Sequence, residues 1–415
     1  MAAIRIIATP ACSGAKQGYT RFLLALALAT LAAMTKANTN NQVIAWGAGT
    51  IIKTSDGNDY GQSIIPANLT NAIQVAGGEW HSLALKANGT LQGWGDDTFG
   101  QTSFPTNKYY VAIACGALHS LALQSNGIVA AAGHDTYGET DVPAGLSNVV
   151  AIACGFYHSV ALKSDGTVVA WGADTDANPV GDNPNYGQTI VPIGLSNVVA
   201  IAAGGYHSLA LTSGGTLTEW GDQSSWGGEI PAGLSNVVAI ATGAQHNVAI
   251  VAGGALAVWG TNTYGQTNIP AGLSNVVAIA TGGWHTVALT KTGTVVAWGA
   301  GIGSNVNVDY KQNIVPAGLS NVVQVAAGWV NSLVLKGNGP PVLTDSLKVT
   351  GFGANGFDLA SSTLNGRVYQ LEYVNSLTNE IWTTLPLQYG TGGAVELNDP
   401  TAAAAIQRFY RLNRW

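Results

Sequence analysis

Charged residues are scarce in this sequence and make up only 9% of its 415 residues. The charge patterning of amphipathic helices is almost absent, which argues against a mainly helical fold. Apolar residues make up 47% of the chain and glycines number 54. Because this apolar content can support a large core, abundant glycine and β-branched runs predict repetitive β structure and not disorder.

Cysteine is also rare, with three residues in the whole chain. Cys12 lies in the N-terminal leader described below, and Cys115 and Cys154 occupy one repeat position where other copies carry Ala or Thr. A position that accepts these residue types requires a small side chain, so buried free thiols are expected. A disulfide between the two is the alternative, although equivalent positions on adjacent sheets can be too far apart to bridge.

Catalytic signatures are missing as well. The sequence has no Gly-x-Ser-x-Gly elbow, no phosphate-binding loop and no Cys–His pair outside the repeats, and its carboxylates are scattered mostly in turns. We therefore predict a protein that is not an enzyme and that uses no cofactor. A pair of carboxylates between repeats for polysaccharide hydrolysis is an alternative with no specific support.

The first 37 residues have the order of a secretory signal peptide. Arg5, Lys16 and Arg21 precede the apolar run Phe22–Ala33, and small residues follow it. This run is shorter than the roughly 20 residues that span a bilayer, so export with cleavage after Ala37 is predicted. The mature chain would be secreted or held at the cell surface, without a membrane span. It would keep 12 basic and 22 acidic side chains, a net charge of −10 that argues against nucleic acid as a partner.

The rest of the chain is organised by a repeat, exemplified by Asn275–Gly299. Apolar runs at Val276–Ala280, Thr286–Thr290 and Thr294–Trp298 are separated by glycine-containing turns, which predicts three short antiparallel strands. Such a sheet cannot bury both of its faces alone. It therefore requires neighbouring copies of itself.

Three markers each occur seven times. A Gly-x-x-His signature ends at His81, His119, His158, His207, His246 and His285, with Asn331 in the seventh copy. A Trp-Gly signature occurs at Trp46, Trp94, Trp171, Trp220, Trp259 and Trp298, with Ala132-Gly133 as the degenerate copy. A proline follows a short polar stretch at Pro66, Pro105, Pro143, Pro192, Pro231, Pro270 and Pro316.

The phase of these markers predicts the architecture. Trp46 precedes the first Gly-x-x-His signature, and no Trp-Gly follows Asn331. Val43–Gly47 is therefore predicted to supply the missing third strand of the last copy and to close a ring, which hides the sheet edges that an open array would expose. We predict an all-β fold, a monomeric seven-bladed β-propeller with about four strands per blade, over residues 38–339.

The repeated pattern V-V-A-I-A-x-G-x-x-H-S-L-A-L…D-G-T-V-V-A-W-G…Y-G-Q-T resembles the repeat of the regulator of chromosome condensation family. The best matches are residues 149–172, 198–221 and 276–299. The sequence is also similar to secreted bacterial members, among them propeller-type β-lactamase inhibitors. The resemblance implies the propeller fold and a histidine that hydrogen-bonds between neighbouring blades. It does not specify a function, since such propellers serve nucleotide exchange, inhibition and protein docking. The export signal argues against nucleotide exchange.

The periodicity stops after Gly339-Pro340-Pro341. Residues 340–415 contain alternating stretches and are predicted to form a separate small β-sandwich. Tyr369–Tyr373, Trp382-Thr383 and Arg408–Arg411 resemble a module found at the C-terminus of exported bacterial proteins. This resemblance suggests a role in attachment or sorting.

The positions that differ between copies are the best candidates for a binding site. They are the two residues before each signature histidine, and they include Trp80, Phe156, Tyr157, Tyr206, Trp284 and Trp329. These turns should open on one face near the central channel, where aromatic side chains with polar neighbours predict a surface for a protein partner of unknown identity. An extracellular glycan is the alternative ligand, and simple covering of the turns is the structural alternative.

The repeated residues are predicted to be structural. The signature histidines lie nearly 40 residues apart with no second ligand close by, so no metal site is expected. The Trp-Gly tryptophans should pack between blades. Core or inter-blade packing is also predicted for the aromatic residue before each proline: Tyr60, Phe99, Tyr137, Tyr186, Trp226, Tyr264 and Tyr310. The insertion Ala173–Gly187 partly resembles a calcium loop, but Pro179 and Asn185 replace its required glycine and acid, so a solvated loop is expected.

Overall fold

The computed structural model describes residues 4–6, 41–49, 52–53, 59–173, 186–222, 227–300, 310–337, 348–353, 356–362, 368–374, 383–385, 387–389, 394–399 and 408–414. These residues form β-strands and no α-helix. Seven three-stranded antiparallel sheets account for most of them and are called sheets 1 to 7 in the order of their first strands. The all-β prediction is confirmed.

Each sheet is built from a first, a second and a third strand. The first strands are Ala72–Gly77, Tyr110–Cys115, Val149–Cys154, Val198–Ala203, Val237–Thr242, Val276–Thr281 and Val322–Ala327. The second strands are His81–Lys86, His119–Gln124, His158–Lys163, His207–Thr212, His246–Val251, His285–Thr290 and Asn331–Lys336. The third strands are Leu91–Gly95, Val129–Gly133, Val168–Gly172, Leu217–Gly221, Ala255–Gly260, Val295–Gly299 and, for sheet 7, Gln42–Gly47.

The strand predicted to complete the last copy is found in sheet 7. Gln42–Gly47 pairs antiparallel with Asn331–Lys336, from Gln42 opposite Lys336 to Gly47 opposite Asn331. Sheet 7 in turn contacts sheet 1, since the Gln324 side chain accepts a hydrogen bond from Val75 N at 3.1 Å and donates one to Val75 O at 3.3 Å. The first and last parts of the repeat region are therefore held together directly.

The predicted fourth strand is absent from each of the seven sheets in the described part of the chain. The connecting segments instead form consecutive tight turns, as between sheets 1 and 2, where Gly100 N donates to Asp97 O and Ser103 N donates to Gly100 O. Gly100 adopts a φ of +76°, and Pro105 further along has no N–H to give to a ladder. Glycine and proline therefore favour turns where a strand was expected.

The second strands form the centre of each sheet, and their first five residues are buried. Six of them begin with a fully buried histidine. Its Nε2 is hydrogen-bonded to the second residue of the next sheet's second strand, at 2.7–3.0 Å: His81–Ser120, His119–Ser159, His158–Ser208, His207–Asn247, His246–Thr286 and His285–Ser332. The structural role predicted for these histidines is confirmed.

The Trp-Gly tryptophans are buried and join sheets to the connecting segments. The indole N–H groups of Trp46, Trp94, Trp171, Trp220 and Trp298 donate to main-chain carbonyls at 2.8–3.1 Å. In four of these pairs the acceptor is a buried glutamine, and Trp171 binds Glu139 O. Trp259 instead donates to the Glu219 carboxylate at 3.3 Å. Their predicted packing role is confirmed.

Asn331 breaks the histidine pattern between sheets 7 and 1. Its side chain is fully buried, and neither its amide nitrogen nor its oxygen has a hydrogen-bond partner among the described residues. Asparagine is too short to reproduce the bond that histidine makes to the next sheet, where Ser82 is the equivalent acceptor. Ser82 Oγ donates to Gln62 O at 3.0 Å and can still accept a bond.

We expect Asn331→His to stabilise the protein by about 1 kcal/mol, because an imidazole at this position can bond Ser82. It would replace the two unsatisfied buried atoms of Asn331 by one, the Nδ1 atom that also lacks a partner in the six signature histidines of the described residues. Equilibrium urea unfolding measures the change. Asn331→His combined with Ser82→Ala is the control and should lose the gain. Equal stability of Asn331→His and the wild type would contradict the expectation.

The C-terminal region forms two further antiparallel sheets. One contains Lys348–Gly353, Gly356–Ser362 and Ala394–Asp399, and the other contains Val368–Val374, Thr383–Thr384, Gln388–Tyr389 and Arg408–Arg414. Ile4–Ile6, from the predicted leader, pairs with the edge of the second sheet at Arg408–Arg414. Ile52–Lys53 and Asp59–Tyr60 form a separate small hairpin. Leu387 is buried in the core cluster of sheets 4, 5 and 6, and its N–H donates to Ser213 O at 3.0 Å. In the described part of the chain, no helix is long and apolar enough to cross a membrane.

Candidate functional site

The candidate site is built on the turns that join first and second strands. Each has the form Gly-x-x-His (Gly-x-x-Asn in sheet 7) and is called a signature turn, as in Gly78-Glu79-Trp80-His81. We call the residue after the glycine the inner position and the residue before the histidine the outer position. All seven turns lie at the same end of their sheets, because each first strand ends there.

Main-chain hydrogen bonds join each signature turn to the next. In every case an N–H group of one turn donates to a carbonyl of the following turn, at 2.9–3.4 Å. The bonds are Glu79 N to Ala117 O, Ala117 N to Gly155 O, Phe156 N to Gly205 O, Gly205 N to Gly243 O, Ala244 N to Gly282 O, Gly283 N to Trp329 O and Trp329 N to Gly78 O. The series returns to its starting turn and forms a cycle.

The signature glycines allow this close approach. A Cβ built on Gly243 would overlap the carbonyl oxygen of Gly282 and the His246 ring, and equivalent overlaps occur at the other six turns. The φ angle of Gly243 is not positive, so lack of space, and not backbone conformation, requires glycine here.

A central cavity of about 90 Å³ is lined by these turns and by residues from all seven sheets. Cys115 and Cys154 line it as free thiols, and burial raises the pKa of Cys115 to about 12 and that of Cys154 well above its usual value. The prediction of unpaired thiols therefore holds in this structure. Both sulfurs stay protonated near neutral pH and are poor nucleophiles.

Five of the six predicted site residues form one continuous aromatic cluster, defined as Phe156, Tyr157, Tyr206, Trp284 and Trp329. Ring centroids are 4.5 Å apart for Trp284–Trp329, 4.7 Å for Phe156–Trp329 and 5.5 Å for Phe156–Tyr206. Tyr157 lies 6.0 Å from Tyr206 and 6.2 Å from Phe156. All five side chains are partly exposed. The cluster joins turns from sheets 3, 4, 6 and 7.

The sixth predicted residue, Trp80, lies outside this cluster. Its ring packs on Tyr60 at 5.2 Å. No ring contact of Trp80 with a cluster member is found in the described residues. The sequence thus placed Trp80 at the end of the sheets where the signature turns lie but could not show that its ring is separate from the other five.

Glycines leave room for the two rings at the inner positions. A Cβ on Gly205 would lie 3.3 Å from the Phe156 ring, and a Cβ on Gly283 would lie 3.1 Å from the Trp329 ring. Because Phe156 and Trp329 belong to sheets 3 and 7, their contact spans the centre of the structure above the cavity. Small residues on the intervening turns make this contact possible.

The aromatic residues before the prolines extend the surface and do not fill a core. Tyr137 packs on Tyr157 at 5.1 Å, Tyr186 on Tyr206 at 5.1 Å and Tyr264 on Trp284 at 5.9 Å. Of the predicted core or inter-blade packing, the core part was wrong for Tyr186 and Phe99, which are 48% and 47% exposed. Phe99 does pack on His134, directly after the third strand of the next sheet. Each of these connecting segments leaves a third strand at the end where the signature turns lie, which brings its aromatic ring beside an outer position. Trp226 lies outside the described residues.

Glu79 is the charged residue of the inner positions, which otherwise carry Ala117, Phe156, Gly205, Ala244, Gly283 and Trp329. It lines the cavity with Phe156 and Trp329 and is only partly exposed. Burial raises the pKa of its carboxyl to about 7. Sequence reasoning noted this position as variable but gave the carboxyl no role, because its burial could not be read from the turn.

The remaining titratable groups of the site are neutral near pH 7. Burial, with a contribution from the Glu79 charge, raises the pKa of Tyr157, and burial raises that of Tyr206 to about 12. Burial lowers the pKa of the signature histidines to about 3 or 4. The site therefore offers aromatic faces, two phenol groups and one carboxyl. This set suits binding.

Among the described residues, no group of three or more His, Cys, Asp or Glu side chains is placed to hold a metal ion. The calcium-like insertion, with Asp174, Asp176, Asn178 and Asp182, lies outside those residues.

Seven similar sheets linked around one cavity define a protein of the β-propeller class. The Regulator of chromosome condensation (RCC1) repeat model matches residues 72–101, 149–177, 198–225, 237–266 and 276–305, and the chain therefore carries repeats of this family. The matched segments correspond to sheets 1, 3, 4, 5 and 6. The two unmatched sheets are those with altered markers, Ala132-Gly133 in sheet 2 and Asn331 in sheet 7.

Solved structures give the same fold. Prp20p from Saccharomyces cerevisiae, described with its binding to Gsp1p and histones, has a TM-score of 0.55 at 20% identity, over 73% of this chain and 94% of that one. Human WBSCR16 has a TM-score of 0.53 at 19% identity, over 72% of this chain and all of that one. No curated protein sequence matches this chain. At these identities the similarity establishes the fold only.

Proposed function

We propose that this protein is an exported, non-enzymatic interaction module, a closed seven-bladed propeller that binds a protein partner through its aromatic cluster. The observation that carries the proposal is the continuity of the five partly exposed rings, drawn from turns that are distant in sequence. Aromatic side chains of this kind dominate the binding energy of protein interfaces. Protein binding by Prp20p, with its similar fold, is consistent with this role.

The surroundings favour a protein over an extracellular glycan. The rings meet at tilted and edge-on angles, such as 72° for Trp284–Trp329 and 80° for Phe156–Tyr206, and so cover one another's faces. A sugar platform needs an open ring face with several hydrogen-bonding side chains around it. The inner positions supply one polar side chain, Glu79, and the cluster adds the phenol groups of Tyr157 and Tyr206. Export and the role of residues 340–415 as a small β-sandwich for attachment belong to the same proposal.

The test is partner capture from the extracellular proteome, with the exported full chain, expected to begin at Asn38, as bait. We expect Trp284→Ala combined with Trp329→Ala to weaken capture at least tenfold, because interface tryptophans typically contribute 2 kcal/mol or more. Affinity for the captured protein is then measured by calorimetry.

Phe99→Ala is the matched control, since Phe99 is an exposed aromatic outside the cluster that packs on His134. It should leave capture unchanged. Capture that survives loss of both tryptophans would refute the assignment of the face. Binding of the chain to a glycan array in the absence of a protein partner would instead assign the aromatic cluster to carbohydrate binding.

A further inference from the structure

The carboxyl of Glu79 is an unusual feature of the site. It is largely removed from water, and burial is the resolved cause of its altered acidity. Among the described residues, neither a hydrogen bond nor an ion pair to its side-chain oxygens is found. Placing a carboxylate in such surroundings without a partner is costly, so a structural role alone does not explain this side chain.

Aromatic residues share the cavity with this carboxyl. Phe156 and Trp329 line the same cavity, and the Glu79 charge affects the acidity of both Tyr157 and Tyr206. The faces of phenylalanine, tyrosine and tryptophan rings attract cations, and the attraction grows when water is excluded. A carboxylate flanked by aromatic rings has the composition of a cation site.

The distribution of charge over the two ends of the sheets points to the same kind of ligand. Segments that directly follow third strands, at the end of the signature turns, carry Asp96, Asp97, Asp135 and Asp222. The opposite end, with the second strand ends and their hairpins, carries Lys86, Lys163, Lys291 and Lys336. Lys311 also lies at the aromatic end, and Asp165 lies at the opposite end, where it pairs with Lys163 at 3.0 Å. Acidic residues still outnumber basic ones among those named at the aromatic end, which favours approach of a basic group.

We propose that Glu79, Phe156 and Trp329 form a binding site for a single basic side chain, lysine or arginine, presented by the protein partner. The proposal rests on the proposed function and names the chemistry at the centre of that interface. The ammonium or guanidinium group pairs with the carboxylate, and its alkyl stem lies against the aromatic cluster. The cation supplies the counter-charge that the protein itself does not provide there.

Such a site binds more tightly above pH 7 than below it, because only the ionised carboxyl pairs with a cation. The other groups that face Glu79 stay neutral between pH 6 and 8: the phenols of Tyr157 and Tyr206, the thiols of Cys115 and Cys154, and the ring of His81 on the same turn. Glu139 faces Tyr157 from the neighbouring segment and is hydrogen-bonded to His134 at 2.7 Å. The change over this range should therefore follow Glu79.

The experiment titrates the full chain with two short glycine–serine peptides, one with a central lysine and one with acetyl-lysine, and follows tryptophan fluorescence. At pH 8 we expect the lysine peptide to bind at least tenfold more tightly than the acetyl-lysine peptide. At pH 6 the lysine peptide should bind roughly tenfold more weakly than it does at pH 8. Glu79→Gln should abolish both differences. A third peptide with central arginine shows which basic group is preferred.

Glu219→Gln is the control, since burial also raises the pKa of Glu219 to about 7, but its side chain bonds Asn247 and Trp259 and does not line the cavity. It should bind the lysine peptide like the wild type. Equal affinity of the wild type for the lysine and acetyl-lysine peptides overturns the proposal without use of any variant. If that occurs while capture still requires Trp284 and Trp329, the proposed function stands and this inference fails. If the lysine peptide binds through Glu79 but capture does not need the cluster, this inference stands and the proposed function fails.

Discussion

Gly243→Ala is expected to lower the free energy of unfolding by about 3 kcal/mol, because one methyl group has no space at the point where adjacent signature turns meet. It would press against the Gly282 carbonyl oxygen on one side and the His246 ring on the other. Neither can move freely. The His246 ring is bonded to Thr286 at 2.9 Å, and Gly282 O accepts the N–H of Ala244. Urea unfolding of the purified chain measures the loss.

Gly214→Ala is the matched control for this substitution. Gly214 also lacks a positive φ, and the nearest atom to its added Cβ would be Thr212 Oγ1 at 3.8 Å. There the methyl group meets open space and reduces the freedom of the unfolded chain, so stability should stay equal or rise by about 0.5 kcal/mol. Similar losses for the two variants would show that glycine is not needed for the approach of the turns.

Trp298→Ala is expected to lower the free energy of unfolding by about 4 kcal/mol, the effect of removing a buried indole from a packed interior. Trp298 is 6% exposed and lies in the core cluster that joins sheets 5 and 6. Its N–H donates to Gln266 O at 2.9 Å, so truncation also leaves a buried carbonyl with one partner fewer. Trp298→Phe keeps most of the packing and should lose about 1–2 kcal/mol.

Trp284→Ala in the same sheet is the comparison that separates scaffold from surface. Trp284 is partly exposed and contacts Tyr264 and Trp329 at the surface end of the sheet. We expect its loss to cost about 1 kcal/mol of stability while partner binding falls. Equal destabilisation by the two tryptophan substitutions would contradict the division between structural and binding residues.

The strands of this protein could be predicted closely because the same local pattern is repeated seven times. Val276–Ala280 was predicted and Val276–Thr281 is observed, and the third strand predicted at Thr294–Trp298 is found at Val295–Gly299. The alternation of apolar and polar residues, the β-branched residues and the turn glycines are local properties of the sequence. They can therefore be recognised in one copy, and the other copies support the prediction. The structural roles of the histidines followed from the same regularity, since a residue repeated in six of seven copies serves the repeat.

The site was predictable in its location but not in its geometry. The variable outer and inner positions could be read from the sequence, and six aromatics were selected from them. Which of these touch depends on the circular arrangement, which brings Phe156 of sheet 3 against Trp329 of sheet 7 and leaves Trp80 aside. The role of Tyr186 was missed for a related reason, since its regular recurrence indicated packing while the structure places it half exposed. Regularity identifies a scaffold position without showing whether water reaches it.

The main-chain bonds between signature turns all point the same way. From Glu79 N to Ala117 O and onward to Trp329 N and Gly78 O, every donor belongs to the earlier turn and every acceptor to the next. Peptide dipoles arranged head to tail polarise one another, and this arrangement occurs where one peptide group both accepts and donates, at Gly78-Glu79, Gly155-Phe156, Gly243-Ala244 and Gly282-Gly283. At Ala117, Gly205 and Trp329 the residue accepts through its own carbonyl and donates through its own N–H, so the two bonds there share a residue and not a peptide group. The aromatic cluster is thus carried by seven turns that are each bonded to both neighbours, and a break at one turn removes a support from the two turns beside it.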